Sequence, residues 1–304
     1  MSIVVAGHTG LVGSAIFEAL KSRGEDVIGI NSKVVNLLDR GLTFEFIKDI
    51  KPDLIIDAAA IVGGIRANSK FRVEFLSKNL QIQNNLMDAA HEANVDRFVF
   101  LGSSCIYPRE CPQPIKEEYL MTGPLEPTNS AYAVAKIAGI ELINSYRNQH
   151  ARHWISLMPT NTYGPRDNFD LNTCHVLPAM ISRYVTASRA GKAEITLWGS
   201  GNSKREFLHS SDLANAVILA SEKYDSDLHL NIGTGEDLSI KELALKISKF
   251  SGFAGRTNWD NSMPNGTPRK VLDISRLKSL GWQPKVPLDD GIKETIEYFE
   301  ANYY

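Results

Sequence analysis

Tyr132 and Lys136, in the run Ser130-Ala-Tyr-Ala-Val-Ala-Lys136, stand four residues apart. On a helix that spacing puts both on one face, about one turn from each other. A phenol whose pKa lies near its ordinary value of ~10 is a poor proton donor or acceptor at neutral pH. An ammonium one turn away favours the phenolate, so the pair is expected to lower the tyrosine pKa and let it exchange a proton with an alcohol or a ketone. Such pairs also arise by chance on amphipathic helices. This one is joined by a glycine-rich loop at the start of the chain and by Ser103-Ser104 upstream of the tyrosine.

The loop Gly7-His-Thr-Gly10-Leu-Val-Gly13 directly follows a short apolar run, Ile3 to Ala6, and opens a helical pattern from Leu11 to Arg23. Glycines there permit a tight turn and let a pyrophosphate approach backbone N–H groups at a helix N-terminus. Gly7, Thr9, Gly10, Leu11, Val12 and Gly13 are therefore the expected dinucleotide contacts. A glycine-rich turn without a ligand is the bland alternative, disfavoured by the strand–loop–helix context and the alanine-rich Asp57-Ala-Ala-Ala60. An NAD site usually places a carboxylate after the second strand, to hold the ribose 2′-hydroxyl. Here that strand runs into Asn31-Ser32-Lys33, with a cation and no acid, which favours the 2′-phosphate of NADP(H). Lys33 as a solvated loop lysine is an equally simple reading.

The elements that must position these residues follow an alternating order. Strands are expected at 3–6, 27–30, 54–60, 97–101 and 154–159, with helices between them, most clearly Asn79 to Ala93 and Tyr132 to Gln149. This pattern predicts an α/β fold, a Rossmann-type doubly wound parallel sheet covered on both faces. Beyond Tyr163 the pattern loosens. A helix is expected from His175 to Ala187, a return to the sheet at 229–232, and a helix over 239–250. The expected division is a dinucleotide-binding domain over 1–165, with a return near 207–232, and a smaller C-terminal α/β domain over 166–304 that caps the substrate.

Composition narrows the function classes. The chain has 304 residues, 43% hydrophobic and 22% charged, as in a globular protein with a sizeable core. A formal net charge of −2 gives no electrostatic reason to expect nucleic acid or an anionic membrane as partner. No apolar run reaches the ~18 residues of a membrane span. Cys105, Cys111 and Cys174 are odd in number and not framed for disulfides, which points to a reducing, cytoplasmic setting. Cys105, Cys174 and His175 lack a Cys-x-x-Cys frame, so no metal is expected.

With the loop, Ser103, Tyr132 and Lys136 placed, the chain resembles the extended short-chain dehydrogenase/reductases. Within them it resembles the GDP-4-keto-6-deoxy-D-mannose 3,5-epimerase/4-reductases. The resemblance runs over almost the whole chain and rests on long strings. These include Ala60-Ile-Val-Gly-Gly-Ile65, Leu101-Gly-Ser-Ser-Cys-Ile-Tyr-Pro108, Leu125-Glu-Pro-Thr-Asn129 and Met158-Pro-Thr-Asn-Thr-Tyr-Gly-Pro165. His175-Val-Leu-Pro178, Trp198-Gly-Ser-Gly201, Arg205-Glu-Phe-Leu-His209 and Gly266-Thr-Pro-Arg-Lys270 continue it.

The resemblance implies an enzyme that inverts C3 and C5 of a GDP-sugar and reduces C4 with NADPH, giving GDP-L-fucose. Ser103, Tyr132 and Lys136 would be its reductive triad, and Cys105 and His175 its epimerisation acid/base pair. Cofactor contacts would extend to Lys33, Asn36, Leu37, Ala58, Ala60, Pro159, Asn161 and His175. The GDP-sugar would meet Asn161, Arg183, Trp198, Arg205 and Asn265. Family members are commonly homodimers through two helices per subunit, here those holding Asn79 and Tyr132, so Ile82, Leu86 or Ile140 facing solvent would be the physical sign. A related GDP-deoxysugar enzyme such as a GDP-colitose former needs the same residues. A 4,6-dehydratase would carry a Glu soon after its active-site Ser/Thr, and Ser103-Ser104-Cys105-Ile106-Tyr107 has none. A non-catalytic NADP-binding regulator would typically lose the tyrosine or the lysine.

Overall fold

The computed structural model describes residues 1–263 and 265–304. Its first half alternates strand and helix: β1 (Ser2–Ala6), α1 (Leu11–Ser22), β2 (Asp26–Ile30), α2 (Arg40–Ile50), β3 (Leu54–Asp57), α3 (Ile65–Lys70), α4 (Arg72–Glu92), β4 (Arg97–Leu101), α5 (Ser130–His150) and β5 (Ile155–Pro159). Next come β6 (Asn161–Tyr163), α6 (Val176–Arg189), β7 (Glu194–Trp198), β8 (Lys204–Arg205), β9 (Phe207–His209), α7 (Ser210–Lys223) and β10 (Leu230–Ile232). The chain closes with β11 (Leu238–Ser239), α8 (Ile240–Phe250), β12 (Arg256–Asp260), β13 (Arg269–Lys270), α9 (Ser275–Ser279) and α10 (Leu288–Tyr303).

Six strands form a parallel sheet in the order β10-β5-β4-β3-β1-β2. Its inner strands are buried on both faces, which is why they read as continuous apolar runs rather than alternating ones. Helices α1 and α7 pack together on one side, and α2, α4 and α5 on the other. Smaller sheets pair β6 with β9, β7 with β12, and β8 with β11 and β13. A second hydrophobic core joins α6, α8 and α10 through Ile181, Tyr184, Leu243, Ile247, Ile296 and Phe299.

The structure amends several expectations. The third strand stops at Asp57 rather than Ala60, because the Asp57 carboxylate accepts from Ala59 N (3.1 Å) and turns the chain. Helix α4 begins at Arg72, seven residues before the expected Asn79. Its inward positions include the buried amides Asn79, Gln83 and Asn85, which blur the apolar period. Helices α7, α9 and α10 come in addition to the expected ones. Leu86 and Ile140 are buried inside the subunit and Ile82 is half-buried, so the apolar positions named for a dimer contact serve the subunit's own core instead. Exposed apolar side chains on those helices are Val73 and Val134.

One buried carboxylate ties the C-terminal segments to the sheet. Glu206, fully buried between β8 and β9, accepts from Thr234 N (2.5 Å) and Gly235 N (2.6 Å) on one oxygen and from Leu272 N (3.0 Å) on the other. Burial raises its pKa, and the backbone donors pull it back. Glu206→Ala leaves those three N–H groups without their acceptor. Urea unfolding should show a loss of at least about 2 kcal/mol, and an unchanged midpoint would contradict the tie.

Candidate active site

Strands β1, β3 and β4 end side by side at Ala6, Asp57 and Leu101, and the glycine loop, the 57–60 turn and Ser103 follow them directly. A crevice at the carboxyl ends of parallel strands is where open α/β sheets bind ligands.

The loop fits a dinucleotide pyrophosphate on two observations. Helix α1 is capped by Gly10 with no side-chain hydrogen bond and no acid in its first turn, leaving a positive helix end for a phosphate. Gly7 has φ +79°, and a Cβ on Gly13 would lie 2.2 Å from the Gly7 carbonyl oxygen, so the turn closes only with glycine. Thr9 and Gly10 are exposed, and at Gly10 an added Cβ would meet nothing nearer than 3.6 Å. Lys33 is exposed on a turn held by Asn31, whose Oδ1 accepts from Lys33 N (2.9 Å). Asn36 is exposed beside it. Leu37 differs: its side chain is in the core and its carbonyl accepts from Asn85 (2.9 Å). Ala58 and Ala60 flank the crevice after β3, and Pro159 closes β5.

Ser103 caps a short 3₁₀ turn (Ser104–Ile106), accepting from Cys105 N (3.2 Å). Helix α5 brings Tyr132 and Lys136 against the ends of β3 and β4. Tyr132 packs edge-on to Phe75 and sits in a small cluster with Ile61, Ala67 and Cys105. Lys136 is 2% exposed, and its Nζ donates to Leu101 O (2.9 Å) and lies 4.7 Å above the Phe100 ring.

The expectation of a lowered tyrosine pKa is overturned. Burial, then the charges of Cys105 and Asp57, push the Tyr132 phenol far above its ordinary value. The ammonium that was to favour the phenolate is itself buried and lowered to about 8, although Asp57 opposes that. Desolvation is the largest effect on both groups, so the site holds a firmly protonated phenol.

Cys105 lies between the two halves of the molecule. Its sulfur accepts from Asn129 Nδ2 (3.3 Å) and from Lys270 Nζ (3.6 Å) on β13. With Glu126 and Thr267 these line one cleft. His175 is the N-cap residue of α6 and is exposed, although protein surrounds its ring. That crowding, then the charge of Lys270, lowers its pKa below the ordinary imidazole value. Gly64 allows the approach: its N–H donates to Thr173 O (2.9 Å), and a Cβ there would lie 2.3 Å from Cys174 O. The neighbouring Cys174 thiol is pushed up to about 11 by burial and then by Asp167. Among the described residues no three or more His, Cys, Asp or Glu side chains gather as a metal site.

Arg205 lies near this centre, since Cys105 and Glu126 both act on its charge and its Nη2 reaches Asn265 O (3.4 Å). Arg183 projects from α6, with Nη1 donating to Thr196 O (3.2 Å). Trp198 is 43% exposed at the end of β7, unusual for a tryptophan in a core and suited to stacking. Asn161 donates to Glu206 O (2.8 Å). Asn265 chiefly shapes the loop, because its Oδ1 already accepts from Ser200 N (2.8 Å). Sequence reasoning missed Asn129 and Lys270 as site residues. Both ended strings quoted for the family resemblance, but no spacing rule joins residues so far apart in the chain.

A family model described as the NAD dependent epimerase/dehydratase family matches residues 3–233. "GDP-L-fucose synthase 1" of Arabidopsis thaliana is 47% identical over 301 residues, covering 99% of this chain and 93% of that one. "GDP-L-colitose synthase" of Yersinia pseudotuberculosis is 38% identical over 301 residues, covering 98% of each. Among solved structures, a GDP-6-OMe-4-keto-L-xylo-heptose reductase from C. jejuni superposes with a TM-score of 0.94 at 32% identity, covering 99% of this chain and 97% of that one. A GDP-L-fucose synthetase from Naegleria fowleri bound to NADP gives 0.91 at 29%, covering 99% and 94%.

The charge of Lys270 contributes to the lowered His175 pKa, so Lys270→Met should raise it. An NMR titration should show the His175 midpoint moving to higher pH; a fixed midpoint would separate the two residues.

Proposed function

This chain belongs to the NAD dependent epimerase/dehydratase family, and we propose that within it the protein converts GDP-4-keto-6-deoxy-D-mannose to GDP-L-fucose, inverting C3 and C5 and reducing C4. The observation that carries the reading is that Cys105 joins two proton-handling sets: it clusters with Tyr132 on the sheet side, and its sulfur accepts from Lys270, whose charge also bears on His175. The cofactor is NADP(H), which supplies the hydride when bound.

A ketone at C4 acidifies the hydrogens on C3 and C5, and inversion needs removal from one face and return on the other. Cys105 and His175 serve as that pair. A lowered imidazole pKa keeps His175 neutral and able to accept a proton at pH 7, and makes its protonated form the stronger acid. Ser103 and Tyr132 donate hydrogen bonds to the C4 oxygen, where the enolate charge develops. In the reduction the same phenol gives up its proton to that oxygen. Its high pKa ensures that Tyr132 arrives protonated, and Lys136 steadies the phenolate left behind.

Gly7, Thr9, Gly10, Leu11, Val12 and Gly13 hold the pyrophosphate, Lys33 and Asn36 meet the adenosine end, and Ala58, Ala60, Pro159 and Asn161 line the nicotinamide side. Arg183 and Arg205 suit a diphosphate by their forked donors, and Trp198 suits a stacked base. Residues 1–165 with the return at 207–232 act as the cofactor domain, and 166–304 mainly as the sugar-nucleotide domain. We place the protein in the cytoplasm, as a homodimer that pairs the outer faces of α4 and α5 around Val73 and Val134. No helix among the described residues is long and apolar enough to cross a membrane. A GDP-colitose-forming enzyme with one inversion fewer is the second reading, favoured by the 38% relative but less than by the one at 47%.

Purified protein should oxidise NADPH when given GDP-4-keto-6-deoxy-D-mannose. Tyr132→Phe should lower that rate about 100- to 10,000-fold with NADPH affinity kept. Full activity in the variant would refute the assigned role. Cys105→Ser should slow exchange of the C3 and C5 hydrogens with solvent, and unaltered exchange would remove Cys105 from the pair.

A further inference from the structure

Buried charge at the end of the sheet is not fully accounted for by the triad. Asp57, the last residue of β3, is 1% exposed, and its Cα partner on β4 is Phe100. Over the Phe100 ring lies the Lys136 ammonium, bonded to the carbonyl of the next residue, Leu101. An ammonium has three donors, and here it is almost out of water with one carbonyl and an aromatic face. On Asp57 one oxygen accepts from Ala59 N, while the other is buried without a hydrogen-bond partner. An isolated carboxylate and an isolated ammonium are each expensive to bury, and a nearby opposite charge offsets part of that cost.

We propose that Asp57 is the built-in counter-charge of Lys136, a positioning residue that keeps the lysine ionised inside the dry site and so sets the upper pH limit of the reduction.

The elements packed around this pair bring few other charges to it. Helix α4 presents uncharged amides, Asn79 bonded to the 61 backbone and Gln83 to Ala135 O. On β1 the partner of Asp57 is Ala6. The loop after it carries His8, whose ring packs on Phe17 and against Gly29. The remaining titratable neighbours are Cys105 after β4 and Tyr132 on the lysine's own helix, whose phenol both Cys105 and Asp57 push up. Asp57 and Lys136 name each other as their leading charge partner: burial raises the carboxyl to about 6, opposed by Lys136, and lowers the ammonium to about 8, opposed by Asp57. With Asp57 ionised, Lys136 is charged at neutral pH and loses its proton as pH rises through about 8. Without that charge the loss comes at lower pH. Asp57 also fixes the turn next to Gly7, where a Cβ would lie 2.8 Å from Ala58 O, so charge and crevice shape are separable only by an isosteric change.

Asp57→Asn is that change, because its side-chain oxygen can still accept from Ala59 N. The test does not need the substrate: lysine-labelled protein is titrated by NMR, with the Lys136 signal assigned through Lys136→Met. The Lys136 midpoint should fall by about one pH unit or more in Asp57→Asn, and an unchanged or raised midpoint overturns the proposal. Should Asp57→Asn fail to fold, the reciprocal measurement decides: the Asp57 carboxyl of the otherwise native protein should titrate higher in Lys136→Met, and no change overturns the pairing. The kinetic consequence rests on the reductase reading. The alkaline limb of the NADPH-oxidation profile should move to lower pH in Asp57→Asn while NADPH affinity below the limb holds. Absence of turnover in the unaltered protein would count against that reading alone, and a shifted lysine with an unshifted limb would overturn the claim on the pH limit.

Discussion

Everything in the candidate site depends on taking charge out of water at the end of a parallel sheet. Three adjacent strands stop together, and the groups gathered at their ends, Asp57 on β3 and Tyr132 and Lys136 on α5, are all nearly inaccessible. Their pKa values are set first by that burial and only then by their neighbours. A phenol on a solvated helix would be tuned by the lysine one turn away. In this crevice desolvation dominates and the phenol keeps its proton, which is the state required of a group that protonates a carbonyl oxygen.

The second constraint is assembly across the chain. Cys105 follows β4, yet one of its two hydrogen-bond donors is Lys270, from the short sheet that also contains Arg205. Gly64 lets the 61–65 loop press on the 173–175 backbone beside His175. Glu206 then anchors the C-terminal segments with bonds to three backbone N–H groups. Lys270 touches the sulfur and depresses His175, so one cation bears on both members of the proposed epimerisation pair.

Legibility in the sequence followed locality. The loop from Gly7 to Gly13 and the strands flanking it were readable because the glycine spacing and apolar runs act over a few residues. Tyr132 and Lys136 were readable as a pair, but the sign of the tyrosine shift was not, since burial is a tertiary property. The start of α4 was hidden by Asn79, Gln83 and Asn85, polar residues turned inward to bond backbone and neighbouring elements. Asn129, Lys270 and Asp57 carry no local signature of their roles; each acquires one only from a partner distant in the chain. Leu37 and Asn265, which the resemblance implies as ligand contacts, show the converse: their side chains largely serve the fold.

The central claim is that one sugar nucleotide, in one cleft, undergoes inversion by the Cys105–His175 pair and reduction beside Tyr132. It is tested most directly by running the unaltered protein with GDP-4-keto-6-deoxy-D-mannose and NADPH in deuterated water and reading the product by NMR. The account predicts GDP-L-fucose with deuterium at C3 and C5 and protium at C4. A reduced product that retains its original configuration and protium at C3 and C5 would contradict it.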